Sequence, residues 1–156
     1  MDRVTHSEDE TRHLGKAIGQ ALKSISLDQP LVITLDGELG AGKTTFVSGV
    51  LRALGISAPV RSPTYTLVEP YEFGSFTVYH LDLYRLVEAR ELEMLALRDL
   101  LRPQAVLLIE WAERGKDVLP AAELSLTFNY LKEGDRQVQI RAMSMRAKEL
   151  AASVQG

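Results

Sequence analysis

Two stretches of the chain are apolar with little interruption, and they frame the rest. Leu31-Val-Ile-Thr-Leu35 follows Pro30, and Ala105-Val-Leu-Leu-Ile109 follows Pro103 and Gln104. Apolar runs this short predict strands buried on both faces, as in a parallel sheet covered by helices on either side. Helical spacing shows elsewhere. Leu14, Ile18, Ala21, Leu22 and Ile25 form a stripe behind Ser7-Glu-Asp-Glu10, which reads as a capping box. A second helix is predicted from Lys43 to about Leu54, with Gly55 as its C-terminal cap. A third is predicted over 88–101, with Leu92, Leu95, Ala96 and Leu100 on one side and Pro103 as its stop.

Period-two patterns complete the chain. Leu124-Ser-Leu-Thr-Phe-Asn-Tyr130 and Val138-Gln-Ile-Arg-Ala142 alternate on either side of Gly134-Asp135, predicting a half-buried antiparallel hairpin. Residues 62–71 and 76–82 are both β-rich. Pro63 and Pro70 restrict the first to an edge strand or an ordered loop, and Gly74-Ser75 joins the two as a hairpin. Residues 146–154 suit a short closing helix. There is no internal repeat, low-complexity tract or linker. The expectation is one α/β domain over 1–156, with a mostly parallel central sheet, helices on both faces and antiparallel hairpin additions.

Composition narrows the functional classes. The chain has 156 residues, 46% of them hydrophobic, enough for a sizeable core without a metal or disulfide staple. A formal charge of −3 gives no basic footprint for nucleic acid, so direct RNA binding by this chain alone is not expected. The absence of cysteine excludes disulfides, thiolate zinc sites and thiol catalysis. His6, His13 and His80 have no metal-ligand spacing and read as ordinary residues. The first ten positions are acidic and polar, without the apolar run of a signal peptide, and nothing approaches the ~20 apolar residues of a membrane span. The expected compartment is the cytoplasm, with no membrane association.

The chemistry lies between the first apolar strand and the second helix. Gly37-Glu38-Leu39-Gly40-Ala41-Gly42-Lys43-Thr44-Thr45 contains the phosphate-loop pattern G-x-x-x-x-G-K-[ST] in its required strand–loop–helix setting. The glycines turn the backbone so that several N–H groups face one concavity and cradle polyphosphate oxygens. Lys43 reaches the β- and γ-phosphates, the Thr44 hydroxyl suits Mg²⁺, and the helix dipole points its positive end at the same anion. The chain is therefore expected to bind a nucleoside triphosphate.

Hydrolysis also needs a metal and a positioned water. Glu110 ends the second apolar run, and Asp82 ends the 76–82 run; in open α/β sheets such strand ends face the site. Both are candidate acids for the metal or the water, in an order the sequence leaves open. Ser62-Pro63-Thr64 offers two hydroxyls to the γ-phosphate or the metal, against the plainer reading of a rigid turn entering a strand. Arg61 and Arg85 are candidate transition-state cations, against solvated surface residues. Trp111 packs either on the nucleotide pocket or in the core.

Four blocks in this order are specific together: the phosphate loop, Ser62-Pro-Thr-Tyr-Thr-Leu-Val-Glu-Pro-Tyr71, Tyr79-His-Leu-Asp-Leu-Tyr-Arg85 and Leu108-Ile-Glu-Trp111. With them the chain resembles the bacterial TsaE (YjeE) family, most closely over residues 30–131. The resemblance implies a small Mg²⁺-dependent P-loop ATPase that supports threonylcarbamoyladenosine formation beside the anticodon of tRNAs reading codons that begin with A. In that family the protein does not transfer the group itself; it binds a TsaB–TsaD pair, and its ATP hydrolysis permits repeated turnovers. The resemblance carries family roles to Lys43 and Thr44, to Asp82, and to Glu110 with Trp111. It also favours ATP over GTP: the [NT]-K-x-D guanine signature is missing, since Gly115-Lys116-Asp117 lacks its spacing. Two other readings remain at this point, a small-molecule P-loop kinase and a nucleotide-gated binding module without turnover.

Overall fold

In the computed structural model, residues 1–94 and 96–154 are described. A seven-stranded sheet runs in the order β1-β7-β6-β2-β5-β4-β3. Its parallel centre joins β2 (Leu31–Gly37), β4 (Thr77–Asp82), β5 (Ala105–Glu110) and β6 (Leu124–Tyr130). The antiparallel additions are β3 (Val68–Glu72) at one edge, with β7 (Arg136–Ala142) and β1 (Asp2–Thr5) at the other. Both expected hairpins form, and Pro70 lies in the edge strand β3, where a missing N–H costs no ladder bond. β6 does more than hairpin with β7: it also pairs parallel with β2, which puts the hairpin inside the sheet.

Alternation along the strands sorts side chains onto two faces. One face, with Ile33, Leu35, Val106, Leu108 and Val78, packs under α1 (Glu8–Leu22), α2 (Lys43–Ala53) and α5 (Met145–Ala152). The other, with Val32, Leu107, Ile109, Tyr79 and Leu81, is covered by α3 (Glu91–Met94), α4 (Leu97–Leu100) and their flanking loops. His80, Asp82 and Glu110 share the strand parity of Val78, Val106 and Leu108, so they point toward the α2 face.

Helix ends follow the expected chemistry. Ser7 caps α1 by accepting the Glu10 N–H, while the Glu10 carboxylate accepts the His6 N–H. Leu14, Ile18 and Leu22 are buried; Ile25 lies past the helix end and packs on the same core. α2 stops as expected at Gly55, whose N–H bonds to Arg52 O at 3.1 Å while Ile56 N–H bonds to Leu51 O at 2.9 Å. α1 crosses α2 at glycines: a methyl group on Gly15 or Gly49 would collide with the backbone carbonyl of Phe46 or Arg12 respectively.

One helix differs from expectation. Residues 88–101 form two single turns rather than one helix, separated at Ala96, which has φ 55°. Leu92 and Leu97 are both buried, and five residues apart they do not share a helix face; the break lets both reach one core. Ala96 is exposed instead of facing inward, and Leu95 lies outside the described residues. No helix among the described residues is long and apolar enough to cross a membrane.

Candidate functional site

The loop between β2 and α2 is shaped by its glycines. Gly40 has φ 78° and Gly42 φ 111°, a region closed to most side chains, and Gly42 stands directly before the helix with no side-chain cap. Among the described residues the first-turn N–H groups of α2 therefore have no intrahelical or side-chain acceptor, which makes the helix end an anion cradle. Lys43 is buried at 4% exposure. Its ammonium donates to the Gly37 carbonyl and lies 3.8 Å from the centre of the Trp111 ring. Burial pushes its pKa below the ordinary lysine value, against the opposing pull of Glu110 and Asp82.

The strand ends supply the acids. Asp82 and Glu110 are register partners on β4 and β5, both nearly buried. The Thr44 hydroxyl donates to Glu110, 3.3 Å from Oε1 and 3.2 Å from Oε2. Ser62 bridges the pair: its hydroxyl bonds to Asp82 Oδ2 and lies 3.2 Å from Glu110 Oε2. Thr64 donates to Asp82 Oδ2 at 3.3 Å, and Tyr84 N–H to Oδ1 at 3.0 Å. The 62–64 hydroxyls thus belong to the acid cluster and are not merely turn formers. The sequence left open which acid stands nearer the metal; in the structure Glu110 meets both the loop threonine and Ser62, and Asp82 meets Ser62 and Thr64.

These groups line a cavity of about 440 Å³, within the ordinary range for small-ligand sites. Leu39, Gly40, Gly42, Lys43, Thr44, Thr45 and Trp111 line it with the acids and the Ser62 and Thr64 hydroxyls. Two loop residues do not: Glu38 is exposed, and Ala41 is buried against the core. Arg61 and Arg85 are outside the lining; Arg85 stacks on exposed Tyr65, 4.4 Å from the ring centre. The cavity runs on past the loop to Ser7, Glu8 and Thr11 of the α1 N-terminus and to Gly134 and Arg136.

Two residues here are given no role by the sequence reading. Arg136 opens β7, bonds to the Ala41 and Gly40 carbonyls at 3.0 and 3.1 Å, and stacks on Tyr130. Only the parallel pairing of β6 with β2 brings it to the loop, and no local pattern announces that. His80, read as ordinary, is fully buried with Nε2 2.5 Å from Glu110 Oε2. Its signal was available: in a strand, it shares a face with Asp82 two residues on. On the opposite face of the sheet, Asp36 meets Glu113, and burial followed by that neighbour pushes its carboxyl pKa up.

The donor set suits Mg²⁺, which takes one or two carboxylates together with water and phosphate oxygens rather than a full protein cage. Thr44, Glu110 and Asp82 provide a hydroxyl and two carboxylates. No group of three or more acidic, histidine or cysteine ligands occurs among the described residues.

A sheet with a parallel centre, a phosphate loop after β2 and acids ending β5 and, beyond it, β4 defines a P-loop NTPase fold. The comparisons narrow this class. The model of "Threonylcarbamoyl adenosine biosynthesis protein TsaE" matches residues 5–138, and the chain belongs to the TsaE family. It is 36% identical over 139 residues to the "tRNA threonylcarbamoyladenosine biosynthesis protein TsaE" of Haemophilus influenzae, covering 89% of this chain and 87% of that one. The Bacillus subtilis protein of that name is 38% identical over 119 residues, covering 76% and 74%. The crystal structure of Bacillus subtilis YdiB superposes with a TM-score of 0.79 at 28% identity, over 99% of this chain and 93% of that chain.

Proposed function

We propose that this protein binds Mg²⁺–ATP and hydrolyses it to ADP and phosphate, slowly when alone, as a cytoplasmic accessory ATPase of tRNA threonylcarbamoyladenosine synthesis acting on a TsaB–TsaD pair. The observation that carries the reading is the contact of Thr44 with Glu110, which joins the phosphate loop to the acid pair. The names of the relatives support the pathway. Backbone N–H groups at the start of α2 and the Lys43 ammonium hold the phosphates. Thr44, Glu110 and Asp82 would hold Mg²⁺, whose charge neutralises phosphate oxygens. Glu110 orients the attacking water. The water oxygen bonds to the γ-phosphorus as the bond from that phosphorus to the β,γ-bridging oxygen breaks, the bridging oxygen leaves with ADP, and the water's protons pass to the released phosphate and to solvent.

The test is phosphate release by the purified chain, alone and titrated with TsaB and TsaD from the same cell. The binding titration is then repeated with ADP and with a non-hydrolysable ATP analogue. Slow turnover alone, acceleration by the pair and nucleotide-dependent partner affinity are expected, since linkage is reciprocal for binding. Fast turnover in isolation with one partner affinity in every nucleotide state would overturn the coupling. Phosphorylation of a small acceptor would assign the chain to the kinases.

A further inference from the structure

The buried histidine of β4 has no place in the reading above, yet it makes the shortest contact to the acid that meets Thr44. His80 is 0% exposed, and its Nε2 lies 2.5 Å from Glu110 Oε2. Its other ring nitrogen, Nδ1, is buried with no hydrogen-bond partner among the described residues. Among the described residues the Glu110 carboxylate is the only acceptor either ring nitrogen reaches, so the ring N–H is assigned to Nε2 and donates to Glu110 Oε2.

The contacts of the carboxylate divide unequally. Oε2 receives His80, with Ser62 and Thr44 each at 3.2 Å; among the described residues Oε1 has the Thr44 hydroxyl alone, at 3.3 Å. We infer that His80 is a positioning residue for Glu110: its Nε2–H holds Oε2 and thereby turns Oε1 to the cavity beside the Thr44 hydroxyl. This arrangement has the logic of a residue behind a metal ligand, one that orients the ligand without touching the ion. The inference rests on the Mg²⁺–nucleotide reading of the cavity and adds to it a residue outside the ligand set.

Three substitutions separate orientation from packing. His80→Leu removes the donor and keeps bulk. His80→Asn keeps a polar amide that is too short to reach Oε2, and His80→Gln places an amide N–H where Nε2 stood. Calorimetry with ADP, with and without Mg²⁺, reads metal and nucleotide separately, and urea unfolding without ligand reads the fold. The Leu and Asn variants should lose about 10- to 100-fold in Mg²⁺ affinity while metal-free ADP binding changes less than about twofold, and Gln should restore most of the loss. If Leu fails to fold, Asn against Gln carries the comparison. Equal loss in all three variants, failure of all three to fold, or undiminished Mg²⁺ affinity in Leu and Asn would overturn the inference. Retained metal binding in those variants, with Mg²⁺ dependence intact in the wild type, would leave the ATPase reading standing. A wild type indifferent to Mg²⁺ would remove both.

Discussion

Asp82 and Glu110 stand side by side at the ends of neighbouring parallel strands, and the Ser62 hydroxyl links their carboxylates. Register fixes this relationship. A slip of one residue in either strand would send one carboxylate into the opposite core, among Leu81 and Ile109. The two acids nevertheless have different neighbours, and their substitutions should have different consequences.

Glu110→Gln keeps the shape of the side chain and an acceptor for Thr44 and Ser62 while removing the charge. Mg²⁺ affinity should fall at least as far as in the His80 variants while nucleotide still binds, and hydrolysis at saturating Mg²⁺ should fall by about 10² to 10⁴. Single-turnover phosphate release is the measurement. A variant as fast as wild type would move the water-orienting role to Asp82 or to a partner residue.

Lys43→Ala removes the cation held between the Gly37 carbonyl and the Trp111 ring. Charge-assisted contacts of about 1.5–3 kcal/mol to phosphate correspond to a loss of about tenfold or more in ATP affinity. Stability should hold, because the variant no longer buries an ammonium. Since burial lowers the Lys43 pKa, the neutral form grows in before the ordinary lysine range is reached. Wild-type affinity should therefore weaken as pH rises toward that range, a trend absent from the alanine variant. Calorimetry across an alkaline series checks both statements.

Gly49→Ala tests the crossing of α1 over α2. The methyl group would meet the Arg12 carbonyl and force the helices apart, an overpacking cost of about 1–3 kcal/mol partly offset by better helix propensity. Because α2 carries Lys43 and Thr44, nucleotide affinity should fall with it. An unchanged urea midpoint would show that the crossing yields without strain.

Arg146 ties the start of α5 to the rest of the domain: it pairs with Glu123 and donates to the carbonyls of Ser26, Gln29 and Pro30. The Arg146 hydrogen bond, ahead of any other cause, holds the Glu123 carboxyl below its ordinary value of 4.5. For an acid lowered in this way, the stabilisation is complete above 4.5 and is lost as pH falls through the folded value. Glu123→Gln should therefore cost about 1–2 kcal/mol at pH 7, the lower part of the range for bonds to charged groups because the pair is partly exposed. The difference from wild type should disappear under acid. Urea midpoints at neutral and acid pH decide it.

The parallel centre of the sheet was legible because its two leading strands are apolar on both faces, a pattern little else produces. The phosphate loop and the acids were legible for a related reason: each stands at a strand end, and a strand end can be read locally. What was not legible depends on partners far away in the chain. β1 is four residues long with only Thr5 buried, so no periodicity marks it. The break at Ala96 answers to a core that receives Leu92 and Leu97 together, which a single-helix template cannot express. Arg136 reaches the loop only through the β6–β2 pairing, and His80 gains its role from Glu110, thirty positions later in the chain.

Trp111 is the sole tryptophan of the chain, and it carries the Lys43 ammonium on its face. Indole emission responds to a cation held against the ring, so any event that draws Lys43 toward a phosphate should alter both the intensity and the wavelength of the intrinsic fluorescence. No second indole contributes background. The protein thus contains its own optical probe, placed where the phosphate loop changes occupancy, and stopped-flow mixing can time nucleotide arrival and departure without a dye, a label or a substitution.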